Sequence, residues 1–278
     1  MAWDSAAQLV RNLDEAKDFG VDEVDVSDAY WEASRLRLSS AYSTTQQGVE
    51  FLLKGRIAEV SPFLLIMGAP SDWPSPYKSD PPKFSQFRTL DAQDLPRVHD
   101  TVSDKTLPDK FIQKYLTLRE TRNTIMHSVN KSLTFPVVDL LNSILFVHSE
   151  FFPGERWTSV RLGQLEKSPD VELWGYDFLR NQICWEISVI IKSLPPAEVM
   201  KYFGIDKKQR FYSCPTCYSE ADNSAGFEQR IAVLRPKGPE AVHLYCPICD
   251  SLQDILREDC ESCEGNVLDV EGTCMTCA

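Results

Sequence analysis

Pro108-Asp-Lys-Phe-Ile-Gln-Lys-Tyr-Leu-Thr-Leu-Arg-Glu-Thr-Arg-Asn-Thr-Ile-Met-His-Ser-Val129 is the stretch whose pattern sets the fold class. Its apolar residues Phe111, Ile112, Tyr115, Leu116 and Leu118 recur at a helical period. Proline suits a first helical position, where its missing N–H has no partner to lose. The spacing predicts a helix from Pro108 to about Val129. The same reading extends outward. Asp4 starts a helix through Lys17 that Gly20 ends. Ser27 starts a long one, with Tyr30, Ala33, Leu36, Leu38, Ala41, Val49, Leu52 and Ile57 in period, closing near Val60 before Ser61-Pro62. Asp94 with Pro96 opens a third, and Val137–Phe152 is a fifth. Val171–Leu194 is a sixth, halted by Pro195-Pro196 because proline cannot supply the helix N–H. A short helix from Pro196 ends at Gly204. The expected fold is mainly α: an all-α bundle of five to seven helices over residues 1–205, with a surface loop at Ala69–Lys83 and a loop at Pro153–Pro169.

After residue 205 the composition changes. Of nine cysteines only Cys184 precedes residue 213. The other eight form Cys214-Pro-Thr-Cys217, Cys246-Pro-Ile-Cys249, Cys260-Glu-Ser-Cys263 and Cys274-Met-Thr-Cys277. By composition about 0.3 such spacings are expected by chance, and four occur. A tight CxxC turn aims two thiolates at one point, and a second knuckle completes a Cys₄ tetrahedron around zinc. Sequential pairing assigns Cys214, Cys217, Cys246 and Cys249 to one ion, and Cys260, Cys263, Cys274 and Cys277 to the other. A cross-braced pairing is the alternative. Strands at Arg230–Leu234 and Ala241–Tyr245 flank the turn Pro236-Lys-Gly-Pro239. The first set resembles a zinc ribbon over residues 206–250, and the second a miniature ribbon over 251–278. Four cysteine ligands per ion mark structural sites, since catalytic zinc keeps an open position. His243 reads as a strand residue and Cys184 as helix packing.

The chain carries 29 Lys and Arg against 41 Asp and Glu, a net charge of −12. Such a surface repels nucleic acid at long range, so any nucleic-acid role needs a local basic site. Residues 250–278 hold one basic residue, Arg257, against eight acidic ones, which points that module toward protein contact. No apolar run reaches membrane-span length, and Met1–Glu15 holds no secretory h-region, so the expected location is cytoplasmic with reduced thiols. The acidic run Asp22–Asp28 reads as charge at a helix start.

One of the four histidines lies in Arg122-Asn-Thr-Ile-Met-His127, on the predicted fourth helix. This segment resembles the Arg-x4–6-His motif of the HEPN superfamily, in the form with asparagine after arginine. The resemblance covers about residues 25–195 and excludes the ribbons. It implies a helical bundle, a metal-independent endoribonuclease acting as a homodimer on RNA, and a role as a prokaryotic toxin or antiviral effector. Val129 stands where some HEPN toxins carry tyrosine, a departure from that subgroup. The residue types suit the chemistry. Histidine exchanges protons near neutral pH, and arginine offers a fixed fork to a phosphate. Asn123 lies one turn from His127 and can orient it or hold the phosphate. Arg122 and His127 are five apart, about 140° around the helix, so either the length of the arginine bridges the gap or two motifs meeting across a two-fold axis complete one site. Arg119, Lys110 and Lys114 add local positive charge. The competing expectation is a non-catalytic dimeric scaffold whose ribbons dock another protein.

Overall fold

Glu186, Ile187, Ser188, Val189, Ile190 and Ile191 are buried in succession, so burial runs around the full circumference of one helix over that stretch and makes it an interior element rather than a surface one. It is seen in a computed structural model that describes residues 1–74, 82–127, 136–169, 171–221 and 229–278. The described side chains exclude those at 18, 23–25, 126–127, 174 and 176–177. The architecture is mainly helical with a small β tail. The helices are α1 (Ala2–Asp18), α2 (Glu23–Val60), α3 (Leu95–Val102), α4 (Asp109–His127), α5 (Val137–Phe151), α6 (Trp157–Leu165), α7 (Val171–Trp174), α8 (Tyr176–Ser193), α9 (Pro196–Phe203) and α10 (Pro215–Glu220). Strands β1 (Val233–Arg235), β2 (His243–Cys246) and β3 (Ser251–Asp254) form one antiparallel sheet in that order. Among the described residues no helix is long and apolar enough to cross a membrane.

Packing divides the chain into two units. One holds Met1–Ala2 and Arg35–Phe135; the other holds Trp3–Ser34 and Pro136–Ala278. The composition change near residue 206 lies inside the second unit, because α6 and α8 pack on the cysteine-bearing segment.

In the first unit, Leu38, Ala41, Tyr42, Val49, Leu53 and Ile57 form the buried stripe of α2. Phe111, Tyr115 and Leu118 do the same for α4. The Tyr115 hydroxyl donates to Ala92 O at 2.6 Å, so the buried phenol is satisfied. Burial and the Glu50 carboxylate push that phenol well above its ordinary range. Leu65–Ile66 and Arg88–Leu90 bracket the proline-rich loop through backbone bonds Met67 N to Arg88 O and Leu90 N to Leu65 O. The loop reading at 69–83 falls in part on residues 75–81, outside the described residues.

In the second unit a buried ionic knot fixes three helices. Arg161 on α6 donates from Nε and Nη2 to both oxygens of Glu186 on α8, at 2.9 and 3.0 Å. The Trp3 indole of α1 donates to the same carboxylate at 2.6 Å, and Arg161 also meets Asp4 at 2.5 Å.

Three expectations need correction. The predicted helix Val171–Leu194 is broken at Gly175, whose φ of +83° and ψ of 173° belong to a region open essentially to glycine, so α7 and α8 are separate. The Pro153–Pro169 segment contains α6, whose short buried stripe Thr158, Arg161, Leu165 is two-thirds polar and escaped an apolar-period reading. The tail holds a third strand and a helical first knuckle that were not expected.

Candidate functional site

The first knuckle begins where Cys214 precedes α10, with Pro215 at the helix start. The turn brings Cys217 back toward Cys214, and Tyr218 N closes on Cys214 O at 2.8 Å. The second knuckle is the turn after β2, from Cys246 through Pro247 and Ile248 to Cys249. It closes at Asp250, which takes a left-handed φ of 49°. The sulfurs of Cys214, Cys217, Cys246 and Cys249 converge, with Cys214–Cys249 at 3.4 Å, Cys217–Cys246 at 3.8 Å and Cys217–Cys249 at 3.9 Å. A tetrahedral ion bound to thiolates at about 2.3 Å requires ligand separations of about 3.8 Å. Disulfide sulfurs would sit about 2 Å apart, and all nine cysteines are free. Cys214, Cys217 and Cys246 are buried and Cys249 is half-buried.

The second cluster joins Cys260, Cys263, Cys274 and Cys277, with Cys260–Cys277 at 3.8 Å and Cys263–Cys274 at 3.7 Å. Backbone N–H groups two residues on point at the sulfurs: Ser262 N to Cys260 and Gly265 N to Cys263, both at 3.3 Å. Gly265 is required by close approach, because a Cβ there would lie 2.5 Å from the Thr276 hydroxyl. Asp269 is structural, its carboxylate accepting from Glu271 N at 3.0 Å and Thr273 N at 2.8 Å. The sulfurs therefore gather sequentially and not cross-braced. His243 stands outside both clusters, its Nδ1 2.8 Å from Asp254 across the β2–β3 pair.

The surroundings of the first cluster were not legible in the sequence. Cys184 on α8 is buried beside Cys217 and helps to push that thiol up. Arg180, one turn earlier on α8, lies beside Cys217 and Cys249 and pairs with Glu220. Burial works against its charge, but the thiolates and the carboxylate outweigh that and hold Arg180 above its ordinary range. Four thiolates on a divalent ion leave a net −2, and Arg180 is placed to offset part of it. The i, i+4 spacing of Arg180 and Cys184 was visible, but nothing in one sequence linked it to residue 217. Further ties run from α6: Thr158 Oγ1 donates to Pro247 O at 2.7 Å, and Arg156 meets Asp250 at 2.6 Å. The two clusters are joined through buried Ser213, whose N–H donates to Met275 O at 2.9 Å and whose hydroxyl donates to Ala278 O at 3.0 Å.

The arginine–histidine segment occupies the last turns of α4. Arg122 and Asn123 are half-buried, and Arg122 Nη1 donates to Asn123 Oδ1 at 3.3 Å. Arg122 follows Phe111, Tyr115 and Leu118 at helical spacing, so a cation continues the buried stripe of α4. Among the described residues it has no carboxylate partner. Arg119 is engaged with Gln93 at 3.3 Å. His127 closes α4, but its side chain lies outside the described residues, as does Val129. Thus Arg122 and Asn123 are brought together, while the pairing of Asn123 with His127 falls outside what is described.

The chain is thus a mainly helical protein with two four-cysteine clusters able to hold metal ions. No family model, curated protein or solved structure matches it, so function is read from its own residues.

Proposed function

We propose that the protein is a HEPN-type, metal-independent endoribonuclease with two structural zinc ions, acting as a prokaryotic toxin or antiviral effector in the cytoplasm. The observation that carries this reading is Arg122. It is a half-buried guanidinium at the end of α4, hydrogen-bonded to Asn123, unpaired with any described carboxylate and one turn and a half from His127. A structural arginine at such a place is normally held by a carboxylate, as Arg161 is by Glu186 here. Charge supports the same reading. Residues 35–135 carry 14 Lys and Arg against 10 Asp and Glu, whereas the rest of the chain carries 15 against 31. The unit bearing the motif is the basic part of an acidic protein, which meets the requirement for a local basic site.

In this reading the ribose 2′-oxygen attacks the adjacent phosphorus and its proton passes to a base. The P–O5′ bond breaks, and the 5′-oxygen takes a proton from an acid. His127 serves in these proton transfers, the second role coming from the copy across a two-fold axis. Arg122 stabilises the phosphorane charge, and Asn123 positions the Arg122 fork. Zinc is the metal that best suits two all-thiolate tetrahedral cages at these spacings. With four protein ligands each, the ions would tie the cysteine knuckles of the tail to one another and take no part in cleavage. The test is cleavage of RNA, but not of DNA, by the unsubstituted protein and its loss in Arg122→Ala and His127→Ala. A second reading, a dimeric scaffold docking proteins, is favoured by the acidity of the zinc-bearing unit. It predicts partner binding with no cleavage.

A further inference from the structure

Around the β1–β2 turn, four basic residues gather within a unit that is otherwise strongly acidic. Lys208, Arg210, Lys237 and Arg257 line a cavity of about 260 Å³ floored by Tyr212 and Leu234. Arg210 lies over the Tyr212 ring at 5.6 Å. Arg257 is the deepest of the four. Its Nε and Nη1 atoms are buried and have no hydrogen-bond partner among the described residues. With those groups unpaired, Arg257 brings an unneutralised positive charge to the cavity that Lys208, Arg210 and Lys237 also line, and an anionic ligand would offset it. One carboxylate, Asp206, lies 3.1 Å from Lys237, accepts from Lys208 N at 2.9 Å and faces the charge of both lysines, and among the described residues Arg210 and Arg257 have no carboxylate partner.

We propose that this pocket binds a phosphate of the RNA backbone and so makes the first zinc module a substrate-positioning element. Two guanidinium forks and two ammonium groups provide more donors than a two-oxygen carboxylate can accept, and suit the oxygens of a phosphate. The apolar floor lowers the local dielectric and strengthens their pull. An anionic polymer repelled by the rest of this unit would find its attraction here. The identity of the polymer rests on the ribonuclease reading; the anion chemistry does not.

The test uses the zinc-loaded full chain and a labelled 2′-O-methyl oligonucleotide, which cannot be cut, followed by fluorescence anisotropy across a salt series. Arg257→Gln should weaken binding about tenfold or more. It should also flatten the log–log salt dependence by about 0.7 for each phosphate that is no longer neutralised. Arg257→Lys should fall between, keeping charge but losing the fork. Should Arg257→Gln lose zinc or helicity, the exposed pair Lys208→Gln with Arg210→Gln carries the same expectation. Unchanged affinity and salt slope in both variants would overturn the proposal. Inorganic phosphate bound by the unsubstituted chain but not by Arg257→Gln, with oligonucleotide affinity unchanged, would also overturn it, in favour of a small phosphate ligand. Binding through the pocket with no cleavage of natural RNA by any form would leave the pocket standing and sink the ribonuclease reading instead.

Discussion

At the scale of single residues, the chemistry rests on a guanidinium whose only described hydrogen bond is to the neighbouring amide. Arg122→Ala and His127→Ala should each lower RNA cleavage by roughly 10²-fold or more, the usual scale for a lost charge-stabilising or proton-transfer group. Arg122→Lys should fail as well, because a point charge does not replace the fork, whereas Asn123→Ala should lose less. Rates on one labelled RNA under single-turnover conditions decide this; an Arg122→Lys protein as fast as the parent would remove Arg122 from the site. A second expectation concerns Arg180. Arg180→Met should speed removal of metal from the Cys214 cluster by a chelator and leave the Cys260 cluster unaffected, since only the first has the guanidinium beside it. Equal release from both clusters in parent and variant would deny Arg180 its role. The metal ligands were fully legible because CxxC encodes its geometry within four residues. Arg180 and Cys184 were not, because their place beside Cys217 comes from the docking of α8 on α10, which joins residues more than thirty positions apart.

At the scale of elements, helical period located most of α1, α2, α4, α5 and α9 to within a few residues. It read through Gly175, because a glycine in an apolar run does not reveal its φ. It also missed β3, whose Ser-Leu-Gln-Asp sequence has a single apolar residue and takes its pairing from β2. The Arg161–Glu186 pair welds α6 to α8, and Arg161→Ala would leave the Glu186 carboxylate buried and uncompensated. The expected loss is about 3–5 kcal/mol in chemical unfolding, and a loss under 1 kcal/mol would show the pair to be incidental. His148 on α5 gives the same unit a pH response. It is buried against Trp157 and Phe152, with ring centroids at 5.3 and 5.5 Å, and burial holds its pKa below the ordinary 6.5. Above pH 6.5 the imidazole is neutral in folded and unfolded chains alike. As pH falls from there toward the depressed folded value, only the unfolded chain takes up the proton, so stability declines. His148→Phe should remove that part of the decline in denaturant midpoints between pH 7.5 and 5; an unchanged pH profile would contradict the assignment.

At the scale of the whole molecule, sequence composition and packing divide the chain differently. Cysteine content changes near residue 206, yet the compact unit containing the cysteines reaches back to Pro136 and takes in Trp3–Ser34. The charge follows the packing and not the cysteines, with the basic residues concentrated in the unit that carries Arg122. Purified protein should contain two zinc ions per chain, with one thiol, Cys184, free of metal. The second cluster, in which only Cys274 is buried and Cys277 is exposed, should release its ion before the first, in which three of the four cysteines are buried. Elemental analysis finding one ion or none, or release in the opposite order, would contradict this.

The most direct measurement is the chemistry of the cut ends. A single RNA and its copy with one 2′-deoxy sugar at the preferred site should be incubated with the zinc-loaded protein, with and without chelator too weak to strip the cysteine clusters. The account predicts 2′,3′-cyclic phosphate and 5′-hydroxyl ends, no cut at the deoxy sugar, no effect of the chelator and none of these products from His127→Ala. Products bearing 5′-phosphate, cleavage at the deoxy sugar, or full cleavage by His127→Ala would contradict it.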